Sequence, residues 1–121
     1  MRYRLHHVQV CAPPGSEATA RRFYVDLLGM KEIPKPTNLA LRGGIWLELN
    51  GTQLHVGIEE RFRPSAKAHP AFEVEDTARL RERLARAGVE LSDDEPLPGW
   101  RRFYARDPFG NRLEFLAPKE P

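Results

Sequence analysis

The stretch Arg106–Pro118, RDPFGNRLEFLAP, places a carboxylate, Glu114, within an otherwise apolar run. The Asp, Pro, Gly and Asn residues in close succession predict a turn, so the residues after them form the second strand of a hairpin. Alternation along that strand puts Leu113 and Phe115 on one face and Glu114 on the other. Because a buried carboxylate is costly without a compensating partner, Glu114 faces either water or a positive group.

The same arrangement occurs earlier in the chain. Residues 45–58, IWLELNGTQLHVGI, predict two strands joined by an Asn-Gly turn, which is a strong hairpin signal. His55 follows Gly51 by the same number of positions as Glu114 follows Gly110. His55 and Glu114 therefore occupy equivalent positions in two repeats.

Each hairpin follows a strand, a helix and a second, short strand. In the first repeat these elements are residues 5–12, a helix over 17–28 with Ser16 as its N-cap, and residues 31–33. The prolines and glycines of the following loop, residues 34–44, do not favour regular structure.

The second repeat has the same plan. Its elements are residues 69–74, a helix between an Asp76 cap and a Gly88 stop, and residues 89–91. The sequence thus predicts the order β-α-β-β-β twice, which is an α+β fold.

Length and composition limit the class of protein. We expect one domain over residues 1–121, with module 1 over about 4–58, a linker over about 59–68 and module 2 over about 69–117. A net charge of +2 gives no reason to expect a nucleic-acid partner. The single cysteine, and the absence of an apolar signal or membrane-spanning segment, predict a cytoplasmic protein that does not insert into membranes.

Strand parity brings ligand-type side chains to one surface. If the helices cover the faces that carry Leu113 and Phe115 and their counterparts, the opposite faces form a concave surface. Histidines also begin the first strand of each repeat, so this surface carries His7, His55, His69 and Glu114. Three imidazoles and a carboxylate suit a divalent metal ion, which would compensate the charge of Glu114.

The segments HHVQVCAP, FYVDLLGMKEI, HPAFEVED and DPFGNRLEF resemble signatures of the vicinal oxygen chelate superfamily, which includes glyoxalases, extradiol dioxygenases and bleomycin-resistance-type proteins. The resemblance covers nearly the whole chain. It implies two βαβββ modules that pair into a curled mixed sheet around a central cup, with the helices outside. It also implies metal ligands on the first and last strands of each module, which map to the four residues named above. At the position of His55 a glyoxalase more often has Glu or Gln.

The resemblance implies an enzyme that binds a divalent ion (Fe, Mn, Zn or Ni) and chelates neighbouring oxygens of a small substrate. Ring-cleaving dioxygenase chemistry and glyoxalase-type lyase or isomerase chemistry both remain open, and the ligand set favours dioxygenase-like ligation. His7, His69 and Glu114 alone would form the two-histidine, one-carboxylate set of non-haem iron. Glu114 and His55 are the catalytic candidates, and His55 is either a fourth ligand or an acid or base that titrates near neutral pH.

The alternative function is a binding protein of the bleomycin-resistance type, which sequesters a small molecule without chemistry. The histidine-rich ligand set argues against it. In the superfamily the cup forms within one chain or across a dimer, and we expect a homodimer.

Further candidates for substrate binding lie beside these strands. The parity of β-strand residues allows Trp46 to line the cavity, and basic and phenolic groups near the last hairpin suit an anionic or enolic substrate. The substrate-binding candidates are Trp46, Arg101, Arg102 and Tyr104. His6 has the parity opposite to His7 and is predicted to be structural or on the surface.

Overall fold

The computed structural model describes residues 1–120, and the chain divides into two compact units, Met1–Arg63 and Pro64–Pro121. The division falls within the predicted linker over residues 59–68, and each unit contains one of the predicted repeats. The α+β class and the β-α-β-β-β order of both repeats are confirmed.

The first unit contains a four-stranded mixed sheet in the order β1-β4-β3-β2. In this sheet β1 is parallel to β4, and the other neighbours are antiparallel. The elements are β1 (His7–Ala12), α1 (Glu17–Ala20), a π-helix (Arg21–Leu27), β2 (Lys31–Ile33), a 3-10 helix (Thr37–Arg42), β3 (Ile45–Leu49) and β4 (Thr52–Ile58).

The β3–β4 hairpin forms where the sequence predicts it. Leu49 pairs with Thr52 across a two-residue turn, and Gly51 has a φ of 95°, a value that L-residues rarely adopt. Alternation along the two strands then buries Leu47, Leu54 and Val56 in the core of the unit. The hairpin thereby fixes which face of β4 carries His55.

The helix of the first unit differs from its prediction in two respects. Only α1 is α-helical, and the chain continues as a π-helix in which the Leu28 N–H donates to the Phe23 carbonyl. Ser16 is the N-cap residue, as predicted, but its side chain makes no capping hydrogen bond, since its Oγ donates to the Pro13 carbonyl at 2.6 Å. In the π-helix the adjacent side chains of Phe23 and Tyr24 are both buried.

The loop over residues 34–44 is also more ordered than predicted. It contains the 3-10 helix Thr37–Arg42, which follows Pro36 at φ −55° and ends at Gly43 at φ 78°. The proline supplies a helical φ before the turn and the glycine allows the chain to leave it, so both residues bound the element.

The second unit repeats the topology with a four-stranded mixed sheet in the order β5-β8-β7-β6. Here β5 is parallel to β8, and the other neighbours are antiparallel. The elements are β5 (Ala71–Glu73), α2 (Thr77–Arg86), β6 (Leu91–Ser92), β7 (Trp100–Arg106) and β8 (Arg112–Pro118). The predicted cap is confirmed, because the Asp76 side chain accepts a hydrogen bond from the Arg79 N–H at 3.0 Å.

The apolar face of the second sheet lies under α2. Phe103 and Phe115 stack at 5.4 Å between ring centroids, and the Arg81 guanidinium of α2 lies 5.5 Å from the centroid of Phe103. Leu113 and Leu84 are fully buried in the same core. Since Glu114 alternates with Leu113 and Phe115, its side chain points to the face away from α2.

No helix among residues 1–120 is long and apolar enough to cross a membrane.

Candidate metal centre

Glu114 and His69 meet on the face of the second sheet that points away from α2. The Glu114 residue is 6% exposed, and its Oε1 lies 2.9 Å from His69 Nε2. Strand pairing places them there, because Ala71 is opposite Glu114 in β8 and His69 precedes Ala71 by two positions. The Glu114 N–H also donates to the Pro70 carbonyl at 3.1 Å, which fixes the end of β5 against β8.

The hydrogen bonds of His69 orient its Nε2 lone pair. His69 Nδ1 lies 2.8 Å from the Lys67 carbonyl, which can only accept, so the Nδ1–H donates to it. Nε2 then faces a carboxylate oxygen, and either a proton or a cation can lie between the two atoms. A backbone carbonyl on one ring nitrogen commonly orients the other nitrogen toward a metal ion.

The separation of these two atoms also fits a metal. Histidine nitrogen and carboxylate oxygen bind Zn²⁺ at about 2.0–2.2 Å, so two neighbouring ligands of one ion lie about 3 Å apart. The 2.9 Å between His69 Nε2 and Glu114 Oε1 agrees with that value. The same distance is that of an ordinary hydrogen bond, so the pair supplies two candidate ligands and not a complete metal site.

Arg102 and Tyr104 lie beside this pair. Arg102 Nη1 donates to Tyr104 Oη at 2.9 Å and lies 3.4 Å from Glu114 Oε2, so the guanidinium compensates part of the carboxylate charge. Tyr104 pairs with Glu114 across the β7–β8 ladder, and the Arg112 guanidinium lies 3.9 Å from the centroid of its ring. The sequence did not assign Arg112 to the site.

Arg101 lies on the other face of β7. It pairs with Ala117, whereas Arg102 and Tyr104 pair with Leu116 and Glu114, and its side chain is exposed. Alternation along the strand thus separates it from the cluster around Glu114.

In the first unit, His55 lies between two other rings. Its imidazole stacks on Trp46 at 4.1 Å between centroids with planes 3° apart, and on His7 at 4.3 Å with planes 15° apart. Trp46 is opposite His55 in the β3–β4 ladder, which accounts for the contact. The structure thus brings together three of the predicted site residues of this unit.

Burial makes His55 a neutral imidazole. Loss of solvent is the main cause, with His7 and His6 adding electrostatic repulsion, and together they lower the pKa of His55 from 6.5 to about 4. The expectation of a group that titrates near neutral pH is therefore not met. His55 Nε2 donates to Gln53 Oε1 at 2.9 Å, which leaves the lone pair on Nδ1.

The stacking also restricts which imidazoles can share an ion. An imidazole ligates through a lone pair in the plane of its ring. The centroids of the His7 and His55 rings are 4.3 Å apart and their planes are nearly parallel, so the two planes do not meet near either ring. His7 and His55, in the arrangement observed, do not direct their lone pairs to one point. This geometry favours one of them, rather than both, as a ligand.

His6 is closer to the site than its parity suggested. β1 begins at His7, so strand alternation does not govern His6, and its Nδ1 lies 3.0 Å from His7 Nδ1. One of these two nitrogens donates to the other, and the bond holds the His7 ring. His6 is therefore a neighbour of the site rather than a residue on the opposite face.

These side chains line a cleft of about 420 Å³ within the first unit. Sequence reasoning missed part of its lining, namely Lys35, Arg42 and Gln53. The signal for Gln53 was its parity with His55, but Lys35 and Arg42 belong to a loop for which no register could be predicted. Among residues 1–120, no three or more His, Cys, Asp or Glu side chains form a group that could hold a metal ion.

Comparison with known proteins agrees with this topology. The sequence model of the Glyoxalase/Bleomycin resistance protein/Dioxygenase superfamily matches residues 4–115. A glyoxalase family protein from Bacillus anthracis has a crystal structure that superimposes with a TM-score of 0.93 at 44% identity, covering 98% of each chain. No curated protein matches the chain.

Two structures of lower identity share the fold. The fosfomycin resistance protein FosX from Listeria monocytogenes has a TM-score of 0.75 at 20% identity, with 98% of this chain and 96% of that chain covered. Lactoylglutathione lyase from Agrobacterium tumefaciens has a TM-score of 0.72 at 19% identity, with coverages of 96% and 94%. From the family match and the Bacillus anthracis relative, the chain belongs to the glyoxalase/bleomycin resistance protein/dioxygenase superfamily.

Proposed function

We propose that the protein is an enzyme that depends on a divalent metal ion and acts on a small substrate with two neighbouring oxygens. The observation that carries the proposal is the contact between His69 Nε2 and the buried Glu114 Oε1, which lie 2.9 Å apart. A buried carboxylate and an oriented imidazole on one strand face are groups that a metal site requires.

We propose His7, His69 and Glu114 as the ligands. Two imidazoles and one carboxylate suit Fe, Mn, Zn or Ni, and leave positions for substrate oxygens. When bound, the ion supplies Lewis-acid polarisation of a substrate oxygen. The first unit contributes His7 to this set, and the second unit contributes His69 and Glu114.

His55 is proposed as a neighbour of the ion rather than a fourth ligand. Its stacking on His7 and its hydrogen bond to Gln53 support this role. With a pKa near 4 it is neutral at physiological pH and a weak base, so it would orient His7 and accept a hydrogen bond at Nδ1.

Arg102 and Tyr104 are proposed to bind the oxygen that becomes negative during the reaction. Arg102 already donates to Tyr104 Oη, which leaves the phenolic hydrogen free to be donated to a substrate oxygen. Arg102 Nε is buried without an acceptor in the described chain, a cost that a further acceptor would relieve. A cation and a hydroxyl donor beside a developing anion stabilise it.

This arrangement favours lyase or isomerase chemistry through an enolate-like or alkoxide-like state. The related lactoylglutathione lyase has the same fold. A ring-cleaving dioxygenase is the second candidate, because two histidines and one carboxylate are the ligand set of non-haem iron. We also propose, from the single cysteine Cys11, that the enzyme acts in the cytoplasm.

Metal content tests the proposal first. We expect purified protein reconstituted with Fe²⁺, Mn²⁺, Zn²⁺ or Ni²⁺ to hold one ion per complete site, measured by elemental analysis after desalting. Catechols with iron under oxygen, and thiol adducts of α-keto-aldehydes with the other metals, then separate the two reaction types. A protein that takes up no metal, yet binds an apolar compound tightly, would instead be a sequestering protein.

A further inference from the structure

The cleft of the first unit carries positive charge that the proposed metal chemistry does not use. Besides the imidazoles and Trp46, it is lined by Lys35 and Arg42, and no carboxylate is among its lining residues. Both cations come from the loop over residues 34–44. The imidazoles of His7 and His55 come from β1 and β4, and His6 directly precedes β1.

Hydrogen bonds hold this loop in place. Lys35 Nζ donates to the Gly43 carbonyl, and the Gly44 N–H donates to Glu17 Oε2 at 2.8 Å. A Cβ on Gly44 would lie 2.1 Å from the Val56 carbonyl, so the loop approaches β4 more closely than any other residue type would allow. The two cations are therefore held at the rim of the cleft.

The charges near the rim do not cancel. The pKa of Glu17 is lowered mainly by its hydrogen bond from the Gly44 N–H, with the charge of Lys35 also contributing. Glu17 is thus ionised and offsets Lys35. Arg42 is exposed and, within residues 1–120, belongs to none of the ion pairs, so its charge remains available to a ligand.

Apolar side chains form another part of the wall. Trp46, Leu39 and Ile58 line the cleft, together with the amide side chains of Gln9 and Gln53. A volume of about 420 Å³ lies within the range of small-molecule sites. The cleft thus combines one available cation with apolar side chains and imidazoles.

We propose that this cleft binds a small organic anion, with its carboxylate or phosphonate on Arg42 and its apolar body against Trp46 and Leu39. This inference rests on the proposed function, for which it names the substrate class: an acid whose charged group is held at the loop while its reacting oxygens lie at the histidines. A guanidinium pairs with carboxylate and phosphonate groups through two hydrogen bonds.

The test uses metal-free protein and two matched probes, phenylacetate and its neutral analogue phenylacetamide, with benzylphosphonate as the other anion. Calorimetric titration should show phenylacetate or benzylphosphonate binding about tenfold more tightly than phenylacetamide, because a hydrogen bond to a charged group contributes that much. The stronger of the two anions identifies the charged group. Binding should weaken at high salt.

Variants then locate the anion. Arg42→Ala should weaken anion binding about tenfold and leave phenylacetamide unaffected. Arg42→Glu should invert the preference toward the cation phenethylamine, and circular dichroism checks that both variants are folded. Arg22→Ala is the control, because it removes an exposed cation of the same unit that is absent from the cleft.

Three results would overturn the inference: equal binding of phenylacetate and phenylacetamide, equal losses in Arg42→Ala and Arg22→Ala, or no binding of either anion at millimolar concentration. Metal content of the same samples keeps the two proposals apart. Metal uptake without anion binding rejects only the anion site, and anion binding without metal uptake rejects only the proposed metal enzyme.

Discussion

Glu114 is the residue on which the proposed chemistry depends. Its position on the strand face away from α2 follows from alternation with Leu113 and Phe115, as the sequence predicted. Its partners in the structure are His69 and Arg102. The sequence identified His69 as a neighbour through the repeat, but not the hydrogen bond from Arg102, because that contact depends on a rotamer of a long side chain.

Replacing Glu114 by Gln should remove metal binding while the protein remains folded. Gln has the same shape and keeps an oxygen for Arg102, but it loses the anionic donor, so metal affinity should fall at least about 100-fold. Elemental analysis and calorimetric titration measure this loss. Arg101→Ala is the control, because it removes a charge from the opposite face of β7. Full metal occupancy in Glu114→Gln would show that the carboxylate is not a ligand.

His55 makes the stability of the metal-free protein depend on pH. Its folded pKa of about 4 lies below the ordinary 6.5, so the unfolded chain binds more protons between these values. Stability from the neutral ring is therefore complete above pH 6.5 and is lost as the pH falls toward 4. The loss approaches roughly 3 kcal/mol, at 1.36 kcal/mol per pKa unit.

Chemical denaturation at pH 7, 5.5 and 4.5 measures this dependence. In His55→Gln the additional loss between pH 6.5 and 4 should be absent, leaving the contribution of the carboxylates and the other histidines. The same variant should retain its metal if His55 is a neighbour of the ion, as proposed. Identical pH profiles for both proteins would mean that the ring is not buried in its neutral form.

The elements that could be predicted are those with strong local signals. The Asn50-Gly51 turn, the Asp76 cap and the alternating hairpin strands are specified by neighbouring residues. The π-helix Arg21–Leu27 and the 3-10 helix Thr37–Arg42 were missed, because α, π and 3-10 turns place apolar residues at similar spacings. The cleft could not be predicted either, because its cations lie on the loop over residues 34–44, which contains the 3-10 helix that was missed.

The turn between β7 and β8 sets the register that directs Glu114. Asp107 is 4% exposed, and its Oδ1 accepts from the N–H groups of Phe109 and Asn111 at 2.9 and 2.8 Å. Its Oδ2 accepts from Asn111 Nδ2 at 2.8 Å. One carboxylate thus satisfies three donors of the turn.

Asp107→Ala should destabilise the protein by about 2–4 kcal/mol, because several donors, two of them backbone N–H groups, lose a charged acceptor. It should also weaken metal binding, since the loosened turn no longer fixes the register of β8. Thermal unfolding and metal titration measure the two effects. The control is Asp93→Ala, which removes an exposed ion pair with Arg81 and should leave both nearly unchanged. A comparable change in the two variants would contradict the role of the turn.

On the scale of the whole molecule, the repeat yields two units that each contain a sheet and a core of their own. Ile45, Leu47 and Leu54 are buried in the first unit, as are Phe103 and Leu113 in the second. The sequence predicted this duplication because the two halves share turn residues and strand parity. The sequence could not predict whether units pair within one chain or between two chains, because that depends on surfaces whose residues carry no periodic signal.

Each unit has a core of its own, and closed dimers are the commonest homo-oligomers. We therefore expect a homodimer in which His7 of one chain joins His69 and Glu114 of the other. His7→Ala and Glu114→Gln should each bind no metal alone. Mixed, denatured and refolded together in equal amounts, they should regain about a quarter of the wild-type metal, because half of the dimers are mixed and each has one complete site.

Metal content per chain after refolding measures this recovery. Wild-type protein that is denatured and refolded in the same way gives the reference value. Native mass spectrometry of the refolded mixture counts the mixed dimers, because the two variants differ in mass. If mixed dimers make up half of the dimers and the mixture still regains no metal, His7 and Glu114 come from the same chain. In that case all the ligands of one ion come from a single chain, and the catalytic unit is the monomer rather than the dimer.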